Sequence, residues 1–366
     1  MKLIELENFF YYKNNLYCEG VKVREVAKKV GTPFYLYSKN SICSQYKKFE
    51  KAFSSLSPLI CYSLKANSNL SILKILKNLG AGADIVSLGE LFLALKAGIP
   101  PGRIVFAGVG KREEEIKEAI KKGIYLFNVE SASELRLINE IASRLNKRVN
   151  CNLRVNPEVE PKTHRHVATG KRESKFGIGW KEVARIFKNK ASFPKINILG
   201  LHIHLGSQIT FPEVYQIAIK KLISFIRKEK IKVDVLDIGG GFPIQYEKKV
   251  SSIKDFAIAF IPLLKEIEAK IIFEPGRYIV GGSSILVTKV LYLKRSFVIV
   301  DAGLNDLLRP SLYGAYHEIV PLKKSSKGSF VGNIVGPICE SSDFLGENRR
   351  LPLSLKEGDF LAIKSS

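Results

Sequence analysis

Eight short apolar runs lie between residues 59 and 274, and the chain between them is mostly helical in pattern. The runs are 59–64 (LICYSL), 83–86 (ADIV), 103–107 (RIVFA), 124–128 (IYLFN), 149–155 (VNCNLRV), 197–203 (NILGLHI), 233–238 (VDVLDI) and 271–274 (IIFE). Segments 69–79, 88–98, 112–121, 131–145, 211–229 and 252–268 carry apolar residues at the three-to-four spacing of a buried helical face. Eight such alternations in ~220 residues predict an α/β fold closed as a (β/α)8 barrel. An open doubly wound sheet is the competing fold. It needs fewer strands and a glycine-rich turn after the first one.

The flanks differ in character. Residues 1–35 hold short β-type pieces, NNLYCEGVKV and TPFYLYS, and 278–366 are rich in β-branched residues and glycine, as in SSILVTKVLYL, SFVIVDAG, GNIVGPI and GDFLAIK. They predict an antiparallel β domain (1–35 and 278–366) assembled from both chain ends around a barrel at 36–277. Residues 39–53 read as a helix leading into the barrel.

The charge balance narrows the function less than its size suggests. Lys and Arg number 58 against 35 Asp and Glu, a net charge of +23. The basic residues are spread along the chain and mixed with acids, as in KREEEIKEAIKKG, so a solvated surface is the reading and no nucleic-acid partner is expected. Glu5 and Glu7 stand where a signal peptide would have its apolar core, and no run is long enough to span a bilayer. A cytoplasmic protein is expected. The five cysteines form no C-x-x-C pair, so neither zinc nor a disulfide framework is indicated.

Reactive groups of such barrels sit at the C-terminal ends of the strands. Those positions are Lys65, Asp84, Asn128, Arg154, His204, Gly239 to Gly241 and Glu274 to Arg277. A lone strand-end lysine is usually a solvated charge and a lone GGG usually a turn, but here they share one face. A lysine amine held against a dry wall loses proton affinity and can form a Schiff base with an aldehyde. Pyridoxal 5'-phosphate is the common aldehyde cofactor, and it makes three further demands. Its phosphate needs backbone N–H donors, which Gly239, Gly240 and Gly241 can present, with the Ser207 hydroxyl beside them. Its ring nitrogen needs a carboxylate, for which Glu274 is placed. Its ring needs a flat face, which His204 can supply.

The motifs YSLKAN, GADIVSLGEL, NVES, LRVNP, SKFGI, LHIHLGSQI, LDIGGGFPI, EPGRYIVG, DAGLNDLLRPSLYGAYHEI and VGPICESSDFLG occur in that order. Together they resemble diaminopimelate decarboxylase, a family of fold type III pyridoxal-phosphate enzymes, over nearly the whole chain. The resemblance implies attachment of the cofactor at Lys65 and cofactor contacts from Gly240, Glu274, Pro275, Gly276 and Arg277, and Asp84 joins them as a cofactor-binding candidate from its strand-end position. It implies substrate contacts from Arg277, Arg309, Tyr313 and Glu340. Cys339 becomes the proton donor, lent with Glu340 by the second subunit of a homodimer with two shared sites.

Physical reasoning fits these roles. Meso-diaminopimelate carries an amino-acid head at each end. One head loses its carboxylate as carbon dioxide, and a thiol such as Cys339 then protonates the α-carbon. The distal carboxylate suits the planar forks of Arg277 and Arg309, and the distal ammonium suits Glu340. A distal acid group favours this substrate over ornithine; carboxynorspermidine, ornithine and arginine stand as the alternatives within the same chemistry. The pattern departs from the family at two places. Ser63 stands where alanine is more usual, a change expected to be tolerated. The chain also stops at KSS, whereas the family continues into a tyrosine-bearing segment and a closing strand. A shortened β domain with an exposed edge, and even a catalytically silent homologue, are the expectations that follow.

Overall fold

The computed structural model describes residues 8–159, 175–326 and 328–366. Residues 1–7 and Ser174 of the SKFGI motif therefore lie outside it. The chain divides into two compact units, one of 43–244 with 250–279, the other of 1–42, 245–249 and 280–366.

The first unit is a closed eight-stranded barrel. Its strands are β1 (Leu59–Ser63), β2 (Gly82–Ile85), β3 (Ile104–Phe106), β4 (Leu126–Val129), β5 (Val149–Arg154), β6 (Ile196–His202), β7 (Val235–Asp237) and β8 (Lys270–Phe273). Each pairs in parallel with the next in sequence, and β8 returns to β1 through Ile272 opposite Leu59 and Phe273 opposite Ile60. Every residue of β1, β2, β3 and β4 is buried, because helices cover the outside and side chains fill the inside. Leu59, Cys61, Val105, Leu126, Val235 and Ile272 form one interior cluster.

The helices start where local chemistry favours them. Ser87 and Ser131 accept the backbone N–H of Glu90 and Glu134, and Ser252 forms a reciprocal capping box with Asp255. Between β5 and β6 the chain forms a nine-residue helix, Trp180–Lys188, with Val183 and Ile186 buried. Phe49, Phe53, Phe242 and Phe273 pack with ring centroids 4.4–6.2 Å apart. They seal the outside of β8 against the start of the unit.

The second unit is built from both chain ends. A seven-stranded sheet is centred on Ser284–Lys294, which pairs with Phe34–Tyr37, Phe297–Val300 and Phe360–Lys364. The antiparallel expectation needs one correction: Phe297–Val300 runs parallel to Ser329–Val335. Phe360–Lys364 is paired on both sides, by Ser284–Lys294 and Ile319–Pro321, so it is not an exposed edge. A separate three-stranded sheet holds Phe9–Tyr12, Asn15–Cys18 and Val21–Lys22. The ladder of Tyr37 against Ser284 draws 36–42 into this unit. Among the described residues, no helix is long and apolar enough to cross a membrane.

Candidate active site

β1 ends in a single tight turn, Leu64–Ala66, which lifts Lys65 out of the ladder. Its Nζ lies 3.0 Å from Asp84 Oδ2, at the end of β2, and its side chain remains 46% exposed. Asp84 is fully buried and its Oδ2 also accepts the Ser63 hydroxyl at 2.5 Å. The amine is not weakened as the sequence suggested. Burial does press its pKa down, but Asp84 and Glu274 overturn that, and the ammonium sits above the ordinary lysine value. For Asp84 itself, burial and Glu274 push the pKa up against the pull of Lys65 and Ser63.

Glu274 follows β8 and is 2% exposed. Its Oε1 accepts Asn128 Nδ2 at 3.0 Å, and its Oε2 lies 3.5 Å from His202 Nε2. The same Asn128 amide donates to Asp237 Oδ2 at 2.9 Å. Burial alone would raise the Glu274 pKa, yet His202 and Lys65 hold it well below the usual carboxylate range. Asp237 moves the other way, because burial and the neighbouring Glu274 both disfavour its charge. The two buried acids thus shift in opposite directions, Glu274 toward its charged form and Asp237 toward its neutral one.

The triple glycine is required first by packing. A Cβ on Gly240 would stand 2.2 Å from Glu274 O, and one on Gly241 2.3 Å from Gly206 O, while Gly239 and Gly241 have φ of +71° and +91°. Two of the three expected N–H donors are already engaged: Gly239 N donates to Asp237 Oδ1 at 2.9 Å and Gly240 N to His204 Nδ1 at 3.1 Å. Among the described residues, Gly241 N–H and Gly276 N–H bond no protein group. His204 is part-buried, and burial followed by the Lys65 and Arg154 charges drives its pKa well below the usual value. Its neutral ring accepts at Nδ1. Ser207 lies part-buried in the same turn. Arg154 is spent on structure, its Nη1 on Glu130 Oε1 at 2.5 Å and its guanidinium 4.7 Å over Phe176.

The barrel therefore brings Lys65, Asp84, His204, Ser207, Gly239, Gly240, Gly241, Glu274, Pro275, Gly276 and Arg277 to one end of its strands. An exposed amine, an ionised buried acid, N–H donors and a neutral imidazole are the donor set that a phosphorylated aldehyde with a protonatable ring requires. The residues fit pyridoxal phosphate.

The other four expected residues belong to the second unit. Arg309 opens the short helix Arg309–Tyr313, and Tyr313 closes it. The Arg309 guanidinium stacks 4.6 Å over Tyr246, and its Nη1 donates to His317 Nε2 at 2.7 Å. Since arginine only donates, His317 must carry its proton on Nδ1, which lies 2.9 Å from Lys364 O. Cys339 and Glu340 are exposed on a tight loop. Buried Asp343 organises that loop by accepting Ile338 N at 2.8 Å and Leu304 N at 2.6 Å. Asp237, His202, Tyr246, His317 and Asp343 were not singled out from sequence. Their importance lies in which groups they meet in the fold, such as Tyr246 under Arg309 and Asp343 under Leu304, which no local spacing reveals.

Residues 39–281 match the family described as "Pyridoxal-dependent decarboxylase, pyridoxal binding domain". The chain is 46% identical to the diaminopimelate decarboxylase of Aquifex aeolicus over 365 residues, 97% of this chain and 86% of that protein. Its fold matches diaminopimelate decarboxylase from Helicobacter pylori complexed with L-lysine, with a TM-score of 0.90, 42% identity and coverage of 94% of this chain and 88% of that one. It also matches the enzyme from M. jannaschii in co-complex with L-lysine, with a TM-score of 0.92, 35% identity and coverage of 98% and 87%. The conclusion from sequence, fold and strand-end chemistry together is that this chain belongs to the diaminopimelate decarboxylases, within the pyridoxal-dependent decarboxylase family.

Proposed function

We propose that the chain converts meso-2,6-diaminopimelate to L-lysine and carbon dioxide, the last step of lysine biosynthesis, and that the residues gathered above divide the work as follows. The observation that carries this reading is the pairing of an exposed Lys65 amine with an ionised, buried Glu274 at one end of a single barrel.

When bound, pyridoxal phosphate supplies the electron sink that takes up the bonding pair as carbon dioxide leaves. Lys65 is the point of covalent attachment, and Asp84 receives its ammonium whenever the amine is free. Glu274 provides the negative charge that keeps a ring nitrogen protonated, with Asn128 and His202 fixing its direction. Gly241 N–H, Gly276 N–H and the Ser207 hydroxyl would hold the phosphate. His204 lends a neutral, flat face, which a protonated imidazole beside Lys65 would do poorly.

Arg277 and Arg309 bind carboxylates of the substrate, and Tyr313 and Glu340 take its remaining polar groups. Cys339 delivers the S–H proton to the α-carbon after the carbon–carbon bond has broken. We further infer that Cys339 and Glu340 act in the site of a second copy, so that the working form is a homodimer. Their exposure on an ordered loop supports this. Five free cysteines suit a reducing compartment, and the cytoplasm is the proposed location.

The test is purified chain with added cofactor, with carbon dioxide measured from meso-diaminopimelate and from ornithine. Turnover on the first and little on the second is expected. Turnover on ornithine alone would move the assignment to a related decarboxylase, and no turnover on either would leave a silent homologue.

A further inference from the structure

Ser63 ends β1 directly opposite Asp84 in the parallel ladder, and it is 2% exposed. Its hydroxyl donates to Asp84 Oδ2 at 2.5 Å, the same oxygen that stands 3.0 Å from Lys65 Nζ. The other oxygen, Asp84 Oδ1, is buried and bonds nothing among the described residues. A carboxylate with two donors on one oxygen and none on the other has had its direction chosen for it.

We propose that Ser63 is a positioning residue for the reaction: its hydroxyl turns Asp84 so that one oxygen faces Lys65, and it keeps that oxygen charged for the free amine. This rests on Lys65 being the cofactor lysine. A hydroxyl that hydrogen-bonds to the charged form of an acid favours that form. Asp84 needs the help, because burial and the Glu274 charge act against its ionisation. The groups that face it are Lys65 after β1, Glu274 after β8, Glu90 on the helix after β2, and Cys61 within β1. Of these only Lys65 is a cation, so the hydroxyl supplies the second favourable contact.

Gly276 lies close to Ser63: a Cβ there would stand 3.1 Å from Ser63 Cβ and 3.1 Å from Ala66 Cβ. Alanine and cysteine keep the single Cβ of serine, so they change the hydroxyl and leave that contact as it is. The hydroxyl is therefore separable from the packing, and its loss is expected to be electrostatic rather than steric.

The experiment titrates the cofactor-free full chain, labelled with ¹³C at aspartate carboxyls, with the Asp84 signal identified by its absence from Asp84→Asn. In Ser63→Ala the Asp84 midpoint is expected to rise by about one pH unit, the scale of a hydrogen bond to a charged group. Ser63→Cys, with a weaker donor, should fall between the two and carries the test if the alanine variant does not fold. In the cofactor-loaded protein the acid limb of kcat/KM should move the same way. An Asp84 midpoint unchanged in these variants overturns the proposal, including the case where only the melting temperature falls. Borohydride reduction of the loaded wild type, followed by peptide mapping, tests separately whether Lys65 holds the cofactor, so the two failures are distinguishable.

Discussion

Lys65 Nζ and Asp84 Oδ2 stand 3.0 Å apart at the mouth of the barrel, and the pair makes the ammonium harder to deprotonate than that of a free lysine. A group whose folded pKa is raised stabilises the fold fully below its unfolded value, about 10.4 for lysine, and that contribution is lost as pH rises through the folded value. In cofactor-free protein, the stability of wild type should fall faster with pH above about 10.4 than that of Lys65→Met. Urea midpoints between pH 9 and 12 measure this. Curves that stay parallel would mean the ion pair contributes nothing. With half the side chain in water, the difference is expected to be small.

Glu274 and Asp237 carry opposite pKa shifts although one Asn128 amide touches both. Replacing the ionised member removes a charge, and replacing the neutral one does not. Glu274→Gln should therefore lower kcat by about 10²–10³-fold, the scale of losing one preorganised electrostatic group. Asp237→Asn should cost much less. Steady-state kinetics of the pair decide it, and an equal loss from both would refute the charge assignment. The depressed Glu274 pKa stabilises the fold above about pH 4.3 and ceases to do so as pH falls through its folded value. Glu274→Gln should accordingly flatten the acid side of the stability curve.

Arg309 is held by an acceptor that sequence reasoning did not find. His317 Nε2 takes its Nη1 proton at 2.7 Å, and Tyr246 supports the guanidinium from below. His317→Ala should raise KM for meso-diaminopimelate about tenfold and leave kcat within about twofold, as expected for one charge-assisted bond that orients a binding group. His317→Gln, able to accept at a similar reach, should recover part of the loss. If kcat falls instead of KM rising, Arg309 does not bind substrate in the ground state.

The barrel was legible because eight short strand-like runs alternate with segments of helical spacing. LICYSL and IYLFN announce themselves without any partner being known. The helix Trp180–Lys188 escaped notice, although its buried Val183 and Ile186 stand at helical spacing. At the site, Lys65, His204, the glycines and Glu274 were read as candidates from their strand-end register. What could not be read was which polar groups already satisfy one another. Gly240 N–H is bound to His204, and Asp237 is neutral beside Glu274, through contacts 36 and 37 residues apart. Likewise Lys65 was expected to lose proton affinity through burial, and only the placement of Asp84 reverses that sign.

Asp343 separates the placement of Cys339 from its chemistry. The Cys339 side chain is exposed, so Cys339→Ala should leave the melting temperature unchanged while lowering kcat by about 10²–10⁴-fold, the usual range for loss of a proton donor. Asp343 is buried and receives two backbone N–H groups, from Leu304 and Ile338. Asp343→Ala leaves both unsatisfied, at a cost of about 1–3 kcal/mol each, and frees the loop that carries the thiol. It should lower both the melting temperature and kcat, with kcat less affected than in Cys339→Ala because the donor survives. Asp343→Asn keeps one acceptor and should lie between wild type and alanine in both measurements. Calorimetry and turnover on the three variants check the ordering. An Asp343→Ala protein with reduced stability but full kcat would show that the loop holds Cys339 in place without this carboxylate.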